Sequence, residues 1–247
     1  MPKFLSSLSS LIYPQSCLAC HEILNLRTPE EGSSNTIQAG LCFICATEIR
    51  REAVCEIRYG MKVYSGSRFS PRVSRIILAA KEDNNFLARK WLVSSLKLAL
   101  SLALVSIYKL NTSGDIKIAL VPIPSRSSVN RSRGFRHANL LATELSKVSF
   151  PADVRVFSNL LSHKARVRDQ SKLRYEERRV NMKDSMVAQE QLGLSGHRVF
   201  LLDDLVTSGL TLRAAKAAME ARGVAVNGAI CASSNMAFRN EPDLKVA

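Results

Sequence analysis

Two adjacent carboxylates, Asp203 and Asp204, follow the apolar run Val199–Leu202 and precede a loop of small and hydroxylated residues, Thr207, Ser208, Gly209 and Thr211. An Ala-rich segment with helical spacing, Leu212–Arg222, comes next, and Gly223 is placed to end it. A short apolar run bounded by polar residues reads as a buried parallel strand, so the two carboxylates are expected where that strand ends. Gly209 lets the backbone turn tightly and approach a ligand closely. The first N–H groups of a helix have no partner inside it, and the helix dipole favours an anion there. The loop amides from Val206 to Thr211, Leu210 included, thus offer a phosphate cradle with two carboxylates beside it. That combination suits a sugar 5-phosphate: amides for the phosphate, carboxylates for the ribose hydroxyls. The segment has neither the G-x-x-x-x-G-K-[ST] of a P-loop nor the G-x-G-x-x-G of a dinucleotide site.

A second loop supplies the opposite charge. Ile116–Pro124 reads as a strand that runs into a loop, because proline cannot donate to a sheet ladder. The residues that follow, Ser125–Arg136, carry Arg126, Arg131, Arg133 and Arg136, and Ala138–Lys147 then has helical spacing. Val224–Ala232 is a further strand, with Cys231 in its apolar run. Strands alternating with helices imply an α/β fold with a parallel sheet and right-handed crossovers. Ligands bind at the carboxyl ends of the strands in such sheets, and both loops lie at such ends. Leu161–Lys183 carries eight Lys/Arg against Asp169, Glu176 and Glu177, and reads either as a basic excursion over the site or as an exposed charged helix.

Four of the six cysteines fall as Cys17-x-x-Cys20 and Cys42-x-x-Cys45, with 21 residues between the pairs. Two such turns can complete a tetrahedral site of four thiolates for structural zinc, leaving no open position for catalysis. Zinc would stabilise a segment too small and too polar to fold by burial alone. Disulfides are the alternative, opposed by the expected reducing cytoplasm. His21 adjoins Cys20 but reads as a surface residue.

The chain of 247 residues is 46 % hydrophobic, enough to bury a sizeable core, and its net charge of +14 is uneven. Residues 1–60 hold five Lys/Arg against six Asp/Glu, so residues 61–247 carry a net +15. These two stretches are expected as a small zinc module, 1–60, and a larger domain, 61–247. A basic domain expects an anionic partner, and phosphorylated sugar, pyrophosphate and nucleic acid all qualify. Met1–Tyr13 lacks the apolar region and cleavage site of a signal peptide. Trp91–Tyr108 is at the lower limit for crossing a bilayer and is diluted by serines, so a buried helix is expected. No membrane span and a cytoplasmic location follow.

Along Val199–Thr211 the chain resembles the type I phosphoribosyltransferase superfamily, whose phosphoribosyl pyrophosphate (PRPP) motif is an apolar strand, two acidic residues and a T-T-G-x-T-like loop. Four features together resemble the ComF/GntX family of phosphoribosyltransferase-like proteins. They are the C-x-x-C pairs, Val121-Pro-Ile-Pro with Arg133-Gly-Phe-Arg-His-Ala-Asn-Leu-Leu141, Gln170-x-x-Leu173 with Arg178-x-x-Asn181, and the PRPP loop. Ile76–Lys81 resembles that family's apolar-then-Lys motif, with Glu82 where an aromatic is usual. The resemblance implies a parallel-sheet type I phosphoribosyltransferase fold with an N-terminal four-cysteine zinc module. It implies PRPP bound with Mg²⁺, Asp203 and Asp204 as the catalytic carboxylates, and Val206–Thr211, Lys81, Arg126, Arg131 and Arg133 as substrate-binding residues. Purine-salvage relatives carry an Asp base at the position of Thr207, so a purine acceptor is disfavoured. The resemblance also implies a second class of function, a component of DNA uptake that binds single-stranded DNA. A homo-oligomer is compatible with the sequence, which specifies none.

Overall fold

A computed structural model describes residues 16–24, 40–109, 115–125, 133–164, 186–189 and 193–235. Two features expected from the sequence, the Met1–Tyr13 stretch and the Gln170–Asn181 motif, lie outside the described residues.

Three strands form the middle of a six-stranded sheet: β3 (Lys117–Pro122), β7 (His197–Val206) and β8 (Val226–Ser234). β4 (Asp153–Val156) flanks β3, while β2 (Met61–Ser65) and β1 (Val54–Arg58) extend the sheet beyond β8. The order is β1-β2-β8-β7-β3-β4, and every pairing is parallel except β1 with β2. Side chains alternate across this sheet with period two, and both faces are covered. Ile118, Leu120, Phe200, Leu202, Ile230 and Ala232 pack into one core. Ala119, Val121, Val199, Leu201, Ala229 and Cys231 pack into the other.

The first core is closed by three helices, α2 (Pro71–Lys81), α3 (Phe86–Tyr108) and α4 (His137–Ser146). α2 starts on a Ser70 side-chain cap with Pro71 next, and α3 starts on an Asn85 cap 3.0 Å from the Ala88 amide. The second core is closed by α5 (Leu210–Glu220) and an antiparallel ribbon, β5 (Leu161–His163) with β6 (Met186–Ala188). Among the described residues α3 alone is long and apolar enough to cross a membrane, with a mean hydropathy of 1.7. Its buried residues, among them Trp91, Leu92, Leu96, Ala99, Leu100, Ala103 and Leu104, recur at helical spacing and belong to the core.

Several expectations shift. The strand expected over Val199–Leu202 runs on to Val206, so the carboxylates lie inside it rather than at its end. Val54–Arg58, numbered within the stretch expected as a zinc module, is the edge strand of the large sheet. Leu161–His163, expected at the start of a solvated excursion, is a strand with Leu161 buried, because it pairs with β6.

The zinc-module residues join the first core. Leu18, Leu41 and Cys45 pack there, beside the short helix α1 (Phe43–Glu48). Two ties fix α2 to this part of the chain: Arg75 Nη1 donates to the Ala19 carbonyl at 2.7 Å, and Arg72 pairs with Glu48.

Just after β2, Gly66 lies against α3, and a Cβ placed there would sit 1.8 Å from the Ser95 carbonyl oxygen. Gly66→Ala should therefore destabilise the protein by about 3 kcal/mol through overpacking, read from the urea midpoint at unchanged slope. A midpoint equal to the parent's would show that α3 does not approach β2 this closely.

Candidate functional site

The period of β7 turns its two carboxylates to opposite faces. Asp203 is level with Cys231 of β8, while Asp204 turns toward α2 and α4 and is 4 % exposed. Asp204 Oδ2 accepts from Lys81 Nζ at 3.2 Å, which places the last residue of α2 on the acidic strand. The same oxygen is 3.5 Å from His137 Nε2 at the start of α4. Asp203 Oδ1 accepts from the Asp204 amide at 2.9 Å. Burial, then the adjacent Asp204 charge, pushes the Asp203 carboxyl well above the usual carboxylate range, with Lys81 opposing. The pair thus resists carrying two full charges without a further cation.

His137 is 2 % exposed, and neither ring nitrogen has a hydrogen-bond partner among the described residues. Burial lowers its pKa to about 4; Asp204 opposes that shift, and Lys81 and Arg133 add to it. The imidazole is therefore neutral at pH 7 and adds no charge beside Asp204.

At the end of β7 the chain enters the loop of Thr207–Thr211. Gly209 takes φ +82° as the N-cap of α5 and provides no side-chain cap; the Leu210 amide donates to Ser208 Oγ, and the amides just after it are left for another acceptor. Thr207 is exposed, Ser208, Leu210 and Thr211 are half-buried, and Ser208 Oγ lies 3.5 Å from the Leu210 amide. The Val206 side chain is buried and its carbonyl accepts from the Asn235 amide at 2.8 Å, so Val206 anchors the loop from within. The tip of the β1–β2 hairpin supports the loop from behind. A Cβ at Gly209 would lie 3.4 Å from Arg58 Cβ and 3.5 Å from the Tyr59 ring, and the Arg213 guanidinium sits 5.0 Å from that ring's centroid. The left-handed backbone is what favours glycine at this position; a Cβ there would make ordinary contact with the hairpin.

The arginine loop starts where β3 ends, with the Ile123 amide bonded to the Leu202 carbonyl at 2.9 Å. Arg126 and Arg131 lie outside the described residues. Arg133 gives both Nε and Nη2 to the Glu82 carboxylate, at 2.8 and 2.5 Å. Arg136 donates to Asn159 Oδ1 at 3.1 Å. A cleft of about 300 Å³ opens beside these residues, lined by Pro124, Ser125, His137, Asn139, Asn159 and His163 among others. A larger groove of about 740 Å³ lies at the opposite ends of the strands, around Lys117, Arg198 and Asn227, away from the carboxylates.

The structure thus brings Asp203, Asp204, Lys81 and the residues from Val206 to Thr211 together, with Arg133 joined to them through Glu82. His137 and Tyr59 were not singled out by the sequence analysis, and Glu82 was noted there only as a departure from an aromatic position. His137 stood inside the Arg133–Leu141 motif, and that position was the one available signal.

The four cysteines converge as expected. The Sγ atoms of Cys17, Cys20, Cys42 and Cys45 all lie within 4.8 Å of one another, and none is in a disulfide. Cys20 and Cys42 sulfurs are 3.7 Å apart, close to the roughly 3.8 Å edge of a tetrahedron with zinc–sulfur bonds of about 2.3 Å. The amide of Cys42 points at Cys17 Sγ (3.3 Å) and that of Cys45 at Cys42 Sγ (3.4 Å). Burial opposes ionisation of Cys17, but the Cys42, Cys20 and Ala19 amides outweigh it and bring the thiol to about 7. Burial and the neighbouring thiols push Cys45 up. The donor set fits zinc; neither exposed His21 nor Cys55 belongs to it.

The family model for the phosphoribosyl transferase domain matches residues 106–246, more than half of the chain. The chain belongs to the phosphoribosyl transferase domain family. No curated protein matches it. The matched span runs from the end of α3 through β8, and so contains the acidic strand, the loop of Thr207–Thr211 and Arg133. Lys81 and Glu82, which engage that site, stand before the phosphoribosyl transferase domain, as do the four cysteines and the β1–β2 hairpin.

Two outcomes are expected. The purified protein should carry about one zinc per chain by elemental analysis, and Cys20→Ser should lose it and lower the thermal midpoint, because Leu18 and Leu41 share a core with α2 and α3. Cys–Cys crosslinks without metal would rule this out. Second, His137 has a native pKa of about 4 against an ordinary 6.5, so between these values the unfolded chain binds more protons. The stability this group contributes is complete above about pH 6.5 and is lost as pH falls toward 4. The loss is on the order of 3 kcal/mol, and His137→Gln should flatten that part of the stability profile.

Proposed function

We propose that the protein binds PRPP in the loop after β7 and transfers its phosphoribosyl group to an acceptor. One observation carries this reading: two carboxylates near the end of one buried strand are followed within a few residues by a helix N-terminus whose N-cap, a glycine in the left-handed region, supplies no side-chain cap. The amides of Thr207 to Thr211 hold the 5-phosphate. Asp203 and Asp204 bind the ribose hydroxyls, directly or through water, and Lys81 fixes Asp204 in place. Their hard oxygen donors fit Mg²⁺, which would supply charge neutralisation for the pyrophosphate when bound. Arg133, with Arg126 and Arg131, takes the pyrophosphate charge that develops as the anomeric carbon–oxygen bond breaks. The acceptor supplies the electron pair for the new bond and gives up its proton. Thr207, exposed and without a basic group, does not take that proton, and this disfavours purines as acceptors. Structural zinc and free thiols suit a reducing cytoplasm.

The second reading, a ComF-like component of DNA uptake, is favoured by one surface feature. Phe86 is 54 % exposed, with Lys90 Nζ 4.5 Å and the Arg89 guanidinium 5.8 Å from its ring centroid, a platform on which a base could stack.

Calorimetry separates the readings. Asp203→Asn should weaken PRPP binding by about tenfold or more while moving the ligand-free thermal midpoint little, since burial already favours the neutral carboxyl. Asp204→Asn should also lower that midpoint, because it strips Lys81 of its partner. Unchanged PRPP affinity in Asp203→Asn would overturn the assignment. Single-stranded DNA should compete with PRPP and bind weakly at physiological salt. Tight DNA binding at that salt, insensitive to PRPP and lost in Phe86→Ala, would instead establish the second reading.

A further inference from the structure

The end of α2 presents two opposite charges to the two halves of the site. Lys81 puts its ammonium on Asp204, and the next residue, Glu82, puts its carboxylate on Arg133. The Glu82 contact is bidentate. It takes Nε and Nη2, the edge by which a guanidinium grips a carboxylate or a phosphate. Arg133 is 12 % exposed at its side chain and Glu82 is 47 % exposed, so the carboxylate is the partner with room to swing away. The Arg133 guanidinium, with Lys81 beside it, holds the Glu82 carboxyl below its ordinary range, so the carboxylate stays charged at neutral pH.

We infer that Glu82 is an internal competitor for the anion that Arg133 receives, and that it sets the affinity of this loop for pyrophosphate-bearing ligands. Resting on the PRPP reading, the inference makes α2 contribute a stand-in for both charges of the ligand: a cation on the acidic strand and an anion on the arginine loop. With no ligand the stand-ins pair the charges of both Asp204 and Arg133. A phosphoryl oxygen pair gains the Arg133 edge only when the Glu82 carboxylate leaves it. The same exchange makes the loop selective. A singly charged or weakly chelating anion does not displace a bidentate carboxylate, whereas a pyrophosphate group carrying more charge does.

The test uses the full-length, metal-replete protein and two probes, inorganic pyrophosphate and PRPP, each with excess Mg²⁺, titrated calorimetrically at low and at physiological salt. Glu82→Gln keeps size and exposure and removes the charge. It should tighten pyrophosphate binding by about two- to fivefold, the range that a partly exposed ion pair supports, and the gain should shrink with added salt. Arg133→Ala should weaken binding, and in the Arg133→Ala background Glu82→Gln should give no gain. Equal or weaker binding by Glu82→Gln, with Arg133→Ala still impaired, would overturn the competitor role and leave the PRPP reading intact. Unchanged binding by Arg133→Ala would remove Arg133 from the anion site, and the inference with it. Loss of PRPP binding in Asp203→Asn is the separate check on the underlying reading.

Discussion

A carboxylate placed inside a parallel strand has to find its counter-charge from other elements, and most of the architecture around Asp204 follows from that requirement. The strand consumes its own backbone hydrogen bonds, and an unpaired buried carboxylate costs several kcal/mol. Lys81 supplies the charge from α2. His137 supplies a neutral wall from α4, uncharged because burial holds its pKa near 4. Both helices must therefore pack on the same face of the sheet as Asp204, and both lie in the core with Phe200 and Leu202. Asp203, on the other face beside Cys231, has no cation bonded to it among the described residues and is pushed toward its neutral form, with Lys81 only opposing.

How much of this was legible in the sequence varies with how local the signal is. The strand–loop–helix from Val199 onward was readable because period, glycine and hydroxyls all sit within a few residues. The cysteine quartet was readable because thiolate spacing is itself a ligand geometry. The extension of β7 through both carboxylates was not, since Asp is disfavoured in strands unless distant groups compensate, and Lys81 is 123 positions away. Glu82 looked like a departure from an aromatic position, and only the fold shows that it meets Arg133. The β1–β2 hairpin also left little trace. Its turn is Tyr59-Gly60, both at positive φ, rather than the Asn-Gly that announces such turns.

Charge balance also explains the division between the phosphoribosyl transferase domain and what precedes it. The domain as matched holds the acidic strand, the loop of Thr207–Thr211 and Arg133, but not the cation on Asp204. The sheet edge and the helices before residue 106 provide that cation, the buttress behind Gly209 and the ceiling of the first core. The preceding segment is part of the fold rather than an attachment to it.

The ties at the middle and the end of α2 have a mechanical meaning. Arg75 holds this helix to the carbonyl of Ala19, between two of the four clustered cysteines, while Lys81 holds it to the acidic strand. From Arg75 to Lys81 the helix rises about 9 Å, and a straight helix transmits displacement rather than absorbing it. The cysteine cluster and the acidic strand are thus two ends of one strut. A loosened knuckle around Ala19 would be felt at Asp204 as an altered reach of the Lys81 ammonium, with no change in any residue between them.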